Sequence, residues 1–242
     1  MITKTKGVIL HSLKYGETSI IAKVFTREHG LQSYIIPGVR KQKSKIKQNL
    51  FQPLSVVDLV AYHKDREGLH HIKEIRCPRA YETIPYDVSK SSVAIFLAEV
   101  LNHALKRQEA NPAFFDFLED ALHFLDREKG SMAHFHIVFL LRLSRYLGIE
   151  PRANHSEKDR FFNIREGVFS NTFENSEYCL DQEISRLFSE AITTELKEHK
   201  HIRTTKADRK ILLLKTIDYY RYHLEGMPEM KSFAVLEMVL GA

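Results

Sequence analysis

The chain has 242 residues, 43% hydrophobic and 28% charged, with ten Gly and seven Pro; this composition excludes disordered, collagen-like and low-complexity classes. Its two Cys, at 77 and 179, exclude a disulfide framework and a four-Cys zinc site, and suit a reducing compartment. The net charge of +5 hides an asymmetry: residues 1–80 carry 15 Lys/Arg against 6 Asp/Glu, a net +9, and residues 81–242 carry 21 against 25, a net −4. A basic segment joined to an acidic one points to a polyanion-facing module. The apolar runs at 93–101 and 137–141 fall far short of the roughly 20 residues of a membrane span. The first seven residues lack the apolar stretch of a signal peptide. A cytoplasmic protein with no membrane partner is expected.

Residues 1–80 read as strands. Segments 5–13, 19–26, 31–36, 50–62 and 69–81 are rich in β-branched and aromatic residues. Arg27-Glu28-His29-Gly30 reads as a hairpin turn with Gly at the position requiring positive φ. Five short strands in such a length suit a small closed barrel, because closure removes sheet edges. After Pro85 the apolar period becomes helical. Helices are expected over 91–106, from Asn111-Pro112 to the break at Gly130-Ser131, over 133–147, over 181–198, over 206–224 and over 233–240. Residues 152–179 read as irregular, with a small hairpin around Gly167. The fold class is therefore α+β, with domains at 1–82 and 83–242.

The densest functional signal lies between two of the predicted strands. Arg40, Lys41, Lys43, Lys45 and Lys47 place five positive charges in eight positions with no acid. Such a loop would hold phosphates without reading sequence. Arg27 adds a cation on the neighbouring turn. Of the aromatics Phe25, Tyr34, Phe51 and Tyr62, any exposed one would stack on unpaired bases, with Tyr34 the first candidate. A small basic barrel binds RNA as readily as DNA, so an RNA-binding protein is the competing reading.

The N-terminal stretches Gly7-Val8-Ile9-Leu10-His11, Tyr15-Gly16-Glu17-Thr18-Ser19, Phe25-Thr26-Arg27-Glu28-His29-Gly30 and Gly38-Val39-Arg40-Lys41 resemble the start of the bacterial RecO family of recombination mediators. The helix ending Tyr146-Leu147-Gly148-Ile149-Glu150-Pro151 is compatible with it. The resemblance implies a five-stranded OB-fold barrel followed by an all-α C-terminal domain. It implies a role in DNA repair and DNA recombination after DNA damage, with binding to single- and double-stranded DNA and single-strand annealing. It also implies work with RecR, docking of the C-terminal tail of single-stranded DNA-binding protein (SSB), and indirect help to RecA, without nucleotide hydrolysis. No GxxxxGK[ST] loop is present. Many relatives hold zinc with four Cys after the Leu-Gly-x-x-Pro stop; here residues 152–179 offer only His155 and Cys179. Two ligands cannot fill a tetrahedral site, so a degenerate ribbon without metal is expected, with Phe161, Phe162, Ile164, Val168 and Phe169 packing in its place.

Other constellations read as structural. His134 and His136 point to different helix faces, His70 and His71 to opposite sides of a strand, and His199 and His201 sit at a helix end. Asp116, Glu119, Asp120 and His123 read as a solvated acidic face. No catalytic triad order or nucleophile elbow appears, so no enzyme, catalytic residue or cofactor is expected. Arg203, Lys206, Arg209 and Lys210 form a second basic cluster. Arg142 and Arg145, on the apolar third helix, are the candidates for an SSB-tail groove.

Overall fold

The computed structural model describes all residues except 42, 43, 45, 63–67, 107, 108 and 242. Two of the cationic loop residues, Lys43 and Lys45, therefore lie outside the described residues. The chain forms two compact units, Met1–Arg127 and Glu128–Ala242. The first unit thus runs past the change from strand to helix, and two helices pack with the barrel.

Strand β1 (Ile2–Tyr15) pairs antiparallel with β2 (Ser19–Thr26) on one side and β4 (Val56–Tyr62) on the other. Strand β3 (Gly30–Ile36) continues from β2, and β5 (Leu69–Arg76) pairs antiparallel with β4. A parallel pairing of β3 with β5 closes the order β1-β2-β3-β5-β4. That connectivity makes the barrel an OB fold. Alternation sends Ile9, Val24, Tyr34, Ile36, Val57 and Leu59 into one core. Gly7 sits where β1 crosses both neighbours; a Cβ there would lie 2.4 Å from Val24 Cγ1, so only glycine fits. Gly30 takes φ +65° and closes the turn as expected.

One expected strand begins later than the sequence suggests. Residues Gln48–Phe51 form a 3-10 turn, and β4 starts only at Val56. Pro53 lacks a ladder donor, and Leu54 turns the chain with φ +62°. That strained conformation is held by its buried side chain, by its N–H on the Ile9 carbonyl and by the Tyr81 hydroxyl on its own carbonyl.

Helices α1 (Val88–Ala104) and α2 (Pro112–Arg127) complete this unit. Asp87 caps α1 through the amides of Ser89 and Lys90, and Asn111 caps α2 through the amide of Phe114. Phe25, on the strand face opposite the core, meets Phe114 and Phe115 of α2 at centroid distances of 4.9 and 6.4 Å.

The second unit contains α3 (Phe135–Tyr146), the hairpin β6 (Phe161–Asn163) and β7 (Val168–Ser170), then α4 (Gln182–Thr193), α5 (Lys206–His223) and α6 (Phe233–Leu240). The helix expected over 181–198 stops at Thr193 and a 3-10 turn, Leu196–His201, follows. Thr193 and Thr194 bond their hydroxyls back to carbonyls of the last turn, which favours ending it. Around the hairpin, Phe162 packs with Phe169, Phe188 and Tyr219, and His155 meets Phe169 edge-on. An apolar cluster thus packs around this hairpin, as expected for residues 152–179. His155 is spent on an aromatic face and Cys179 is buried beside the hairpin, so the residues present do not fit a zinc ion. No helix among the described residues is long and apolar enough to cross a membrane.

Candidate nucleic-acid interface

The cationic loop is anchored at both ends by apolar side chains and aimed outward between them. Val39 is buried, and Ile46 and Leu50 pack against the barrel core. The Arg40 amide bonds the Thr18 carbonyl at 3.0 Å, and its guanidinium donates to the Gly16 carbonyl at 3.3 Å, tying the loop to the β1–β2 turn. Farther along, the Ser12 hydroxyl donates to the Phe51 carbonyl at 3.0 Å. Arg40, Lys41 and Lys47 are exposed, and no carboxylate among the described residues pairs with them. Held this way, the cations keep their charge in solvent and lose less freedom on meeting a phosphate than a free loop would.

Arg27 stands differently. Its guanidinium grips the Asp116 carboxylate of α2 through two bonds, at 2.9 and 3.1 Å. The pair raises the Arg27 pKa and lowers that of Asp116. Lys6 donates to both oxygens of Glu119, at 2.7 and 2.9 Å. The acidic stripe of α2 is therefore solvent-exposed at Asp116 and Asp120, as expected, and also answers two cations of the barrel. It is a strip of counter-charge laid on the barrel, and it withdraws two cations from the basic surface.

The burial of the aromatic candidates corrects the choice of Tyr34. Tyr34 is 1% exposed and points into the core, where burial drives its phenol pKa up. Phe25 and Phe51 are likewise buried, and Tyr62 alone is open. The reason is register: the three buried ones fall on the inward or helix-covered face of their strand or turn. Outside that set, Tyr15 ends β1 beside the turn bonded by Arg40 and is 49% exposed.

The second basic cluster is half spent. Arg209 is 8% exposed and donates to the carbonyls of Leu240 and Gly241, capping α6. Lys210 pairs with Glu237. Arg203 and Lys206 remain exposed. Arg142 is already engaged: its guanidinium caps α4 through the Thr193 and Thr194 carbonyls and pairs with Glu195. Arg145 is exposed at the last turn of α3. Among the described residues, no group of three or more His, Cys, Asp or Glu is arranged to hold a metal.

Comparison with known proteins adds the family. Residues 1–81 match the model for the N-terminal part of recombination protein O, and residues 85–232 match that for its C-terminal part. A protein of Flavobacterium psychrophilum named DNA repair protein RecO is 38% identical over 240 residues, 99% of each chain. Proteins of the same name from Phocaeicola vulgatus and Christiangramia forsetii are 36% and 33% identical, over 98% and 100% of each chain.

Proposed function

The chain belongs to the RecO family of DNA repair proteins, and on that premise we propose that it is a non-enzymatic, DNA-binding recombination mediator. It binds single- and double-stranded DNA, anneals complementary strands coated by SSB and, with RecR, assists RecA loading. It works in the cytoplasm at the nucleoid. The observation that carries this reading is the loop itself: Arg40, Lys41 and Lys47 exposed and without a carboxylate partner among the described residues, on a segment anchored by Val39 and Ile46. Lys43 and Lys45 add to the same run of sequence.

Annealing asks for no reacting side chain. Two strands of like charge repel, and a cationic surface that neutralises both raises their local concentration and lowers the barrier to pairing. If all five loop charges meet phosphates, log K for a single strand falls with log salt at a slope of roughly −3.5. Arg203 and Lys206 supply a smaller cationic surface on the second unit.

The test is annealing of two complementary strands, each coated with the cognate SSB, without nucleotide or metal. Acceleration by the protein, and its loss when Arg40, Lys41, Lys43, Lys45 and Lys47 are replaced by Ala, is the expected result. Binding of RNA in preference to DNA of matched sequence, with no annealing, would overturn it.

A further inference from the structure

Helix α5 is apolar on two faces. Leu212, Leu213, Ile217 and Tyr220 turn into the second unit and are buried. On the other side Ala207, Ile211, Leu214 and Tyr222 recur at helical spacing and form one stripe. All four are exposed, Leu214 to 37%. Helix α6 repeats the arrangement: Leu236 is buried, while Val235 and Met238 point outward, Met238 with 85% exposure. The Lys210–Glu237 ion pair and the bonds from Arg209 to the Leu240 and Gly241 carbonyls hold the two helices side by side. A helix that is apolar all round is normally covered all round, and a contiguous exposed apolar surface marks an interaction site.

The charges around the stripe say what covers it. Exposed Arg203 and Lys206 stand at its N-terminal end; Asp218 and exposed Glu225 stand at its C-terminal end, on either side of Tyr222. A partner of one sign is attracted at one end and repelled at the other. A second copy laid antiparallel is attracted at both. With a two-fold axis at Leu214, each residue faces the one equally far beyond Leu214 in the copy. Lys210 then faces Asp218, and Lys206 faces the Tyr222 ring in cation–π geometry, about 6 and 12 Å from the axis. Arg203 and Glu225 follow beyond the two helix ends. Arg221, exposed at the acidic end, meets Ala207 and no cation. Lys210 and Asp218 already pair with Glu237 and Lys215 of their own chain, so the contact joins existing pairs into a network.

We propose that the chain self-associates through α5 and α6 as an antiparallel two-fold dimer, with Leu214 packed on its own copy. The interface is isologous: one surface, complementary to itself, meets its duplicate and closes the assembly at two copies. The contact centres on a few apolar side chains inside a charged rim, so the dimer is a weak one whose population rises with concentration. The inference goes beyond the DNA-binding reading and does not depend on it.

The test uses the full chain without DNA. Sedimentation velocity over about a hundredfold range of concentration should show the mass rising towards that of a dimer. Leu214→Lys should weaken the association at least about tenfold, the size of effect a central apolar contact has. Leu214 is partly exposed, so circular dichroism should show that variant folded. A second measurement fixes the geometry. Under a mild oxidant Leu214→Cys should form a covalent dimer that the wild-type chain, with Cys77 and Cys179 alone, does not. Ala207→Cys should not, because its two copies lie about 21 Å apart in this register. A monomer at every concentration overturns the proposal, as does a dimer indifferent to Leu214→Lys. Cross-linking at 207 as readily as at 214 overturns the antiparallel arrangement. A chain that stays monomeric and instead takes an acidic peptide on this face, lost in Leu214→Lys, assigns the stripe to another partner and overturns it as well.

Discussion

Asp126, at the end of α2, accepts the Thr83 backbone N–H at 2.8 Å, and the same carboxylate takes the amides of Glu82 and Ile84 at 2.9 and 3.0 Å. Lys90 of α1, also buried, donates to the Thr83 hydroxyl at 2.7 Å and to the Asp126 carbonyl at 2.8 Å. The segment leading from the barrel into α1 is thereby clasped between two helices by a buried carboxylate and a buried ammonium. Burial pushes the Asp126 carboxyl up, but the three amides and the Thr83 hydroxyl outweigh it and hold it below the usual range.

Removing that carboxylate should be costly. Asp126→Ala leaves the amides of Glu82, Thr83 and Ile84 without their acceptor, while Lys90 keeps its bond to the backbone carbonyl of residue 126, a loss of about 3 kcal/mol. Urea unfolding should show a lower midpoint, with DNA affinity intact in the residual folded protein. A change under about 0.5 kcal/mol, typical of a neutral surface position, would refute the clasp.

The acidic strip of α2 makes an unusual prediction about binding. Asp116→Asn with Glu119→Gln releases Arg27 and Lys6 from their partners. Both cations should then be open to phosphate. Single-strand affinity should rise, and the salt slope should steepen by about 1.4, the value for two additional charges. An unaltered slope would place Arg27 and Lys6 away from the DNA path.

Arg142 should prove structural. Arg142→Ala uncaps the C-terminus of α4 and should cost about 1–2 kcal/mol of stability, as loss of charge-assisted bonds to carbonyls does. Binding of an SSB-tail peptide should be unchanged in that variant by fluorescence anisotropy. Loss of peptide binding with stability unchanged would return Arg142 to the role expected from sequence.

Acid should loosen the second unit first. His134, His136 and His199 are buried, with burial the main cause holding their pKa values at about 4, 3 and 4; nearby Arg209 lowers His134 and His136 further. Each folded value lies below the unfolded one, so the unfolded chain binds more protons and stability is lost as pH falls from about 6.5 towards 4. The loss should be on the order of several kcal/mol, because each tenfold weakening of proton binding on folding corresponds to about 1.4 kcal/mol. Urea midpoints across that range should fall steeply, and His136→Gln should flatten the dependence. A midpoint independent of pH over the same range would refute it.

Local chemistry was legible in the sequence and long-range pairing was not. Gly30 announces its turn, Asn111 and Pro112 announce α2, and Gly167 announces the β6–β7 hairpin, because each acts on neighbours a few residues away. The density of charge in loop 40–47 needs no fold to be read. The late start of β4 was hidden because Leu54 carries no sign of a positive φ; it is held there by Ile9 and Tyr81 from distant strands and turns.

The sequence by itself determined the barrel-then-helices order, the cationic loop and the family likeness, since periodicity, turn residues and charge runs are properties of adjacent positions. Only the tertiary structure decided which described cations carry a carboxylate partner and which aromatics are open. Arg27 meets Asp116 across 89 residues and Tyr219 reaches the Ile149 carbonyl across 70, and strand register buries Tyr34 while leaving Tyr15 at the rim. Charge pairing and burial depend on distance in space, and distance in space is what a linear chain does not carry until it has folded.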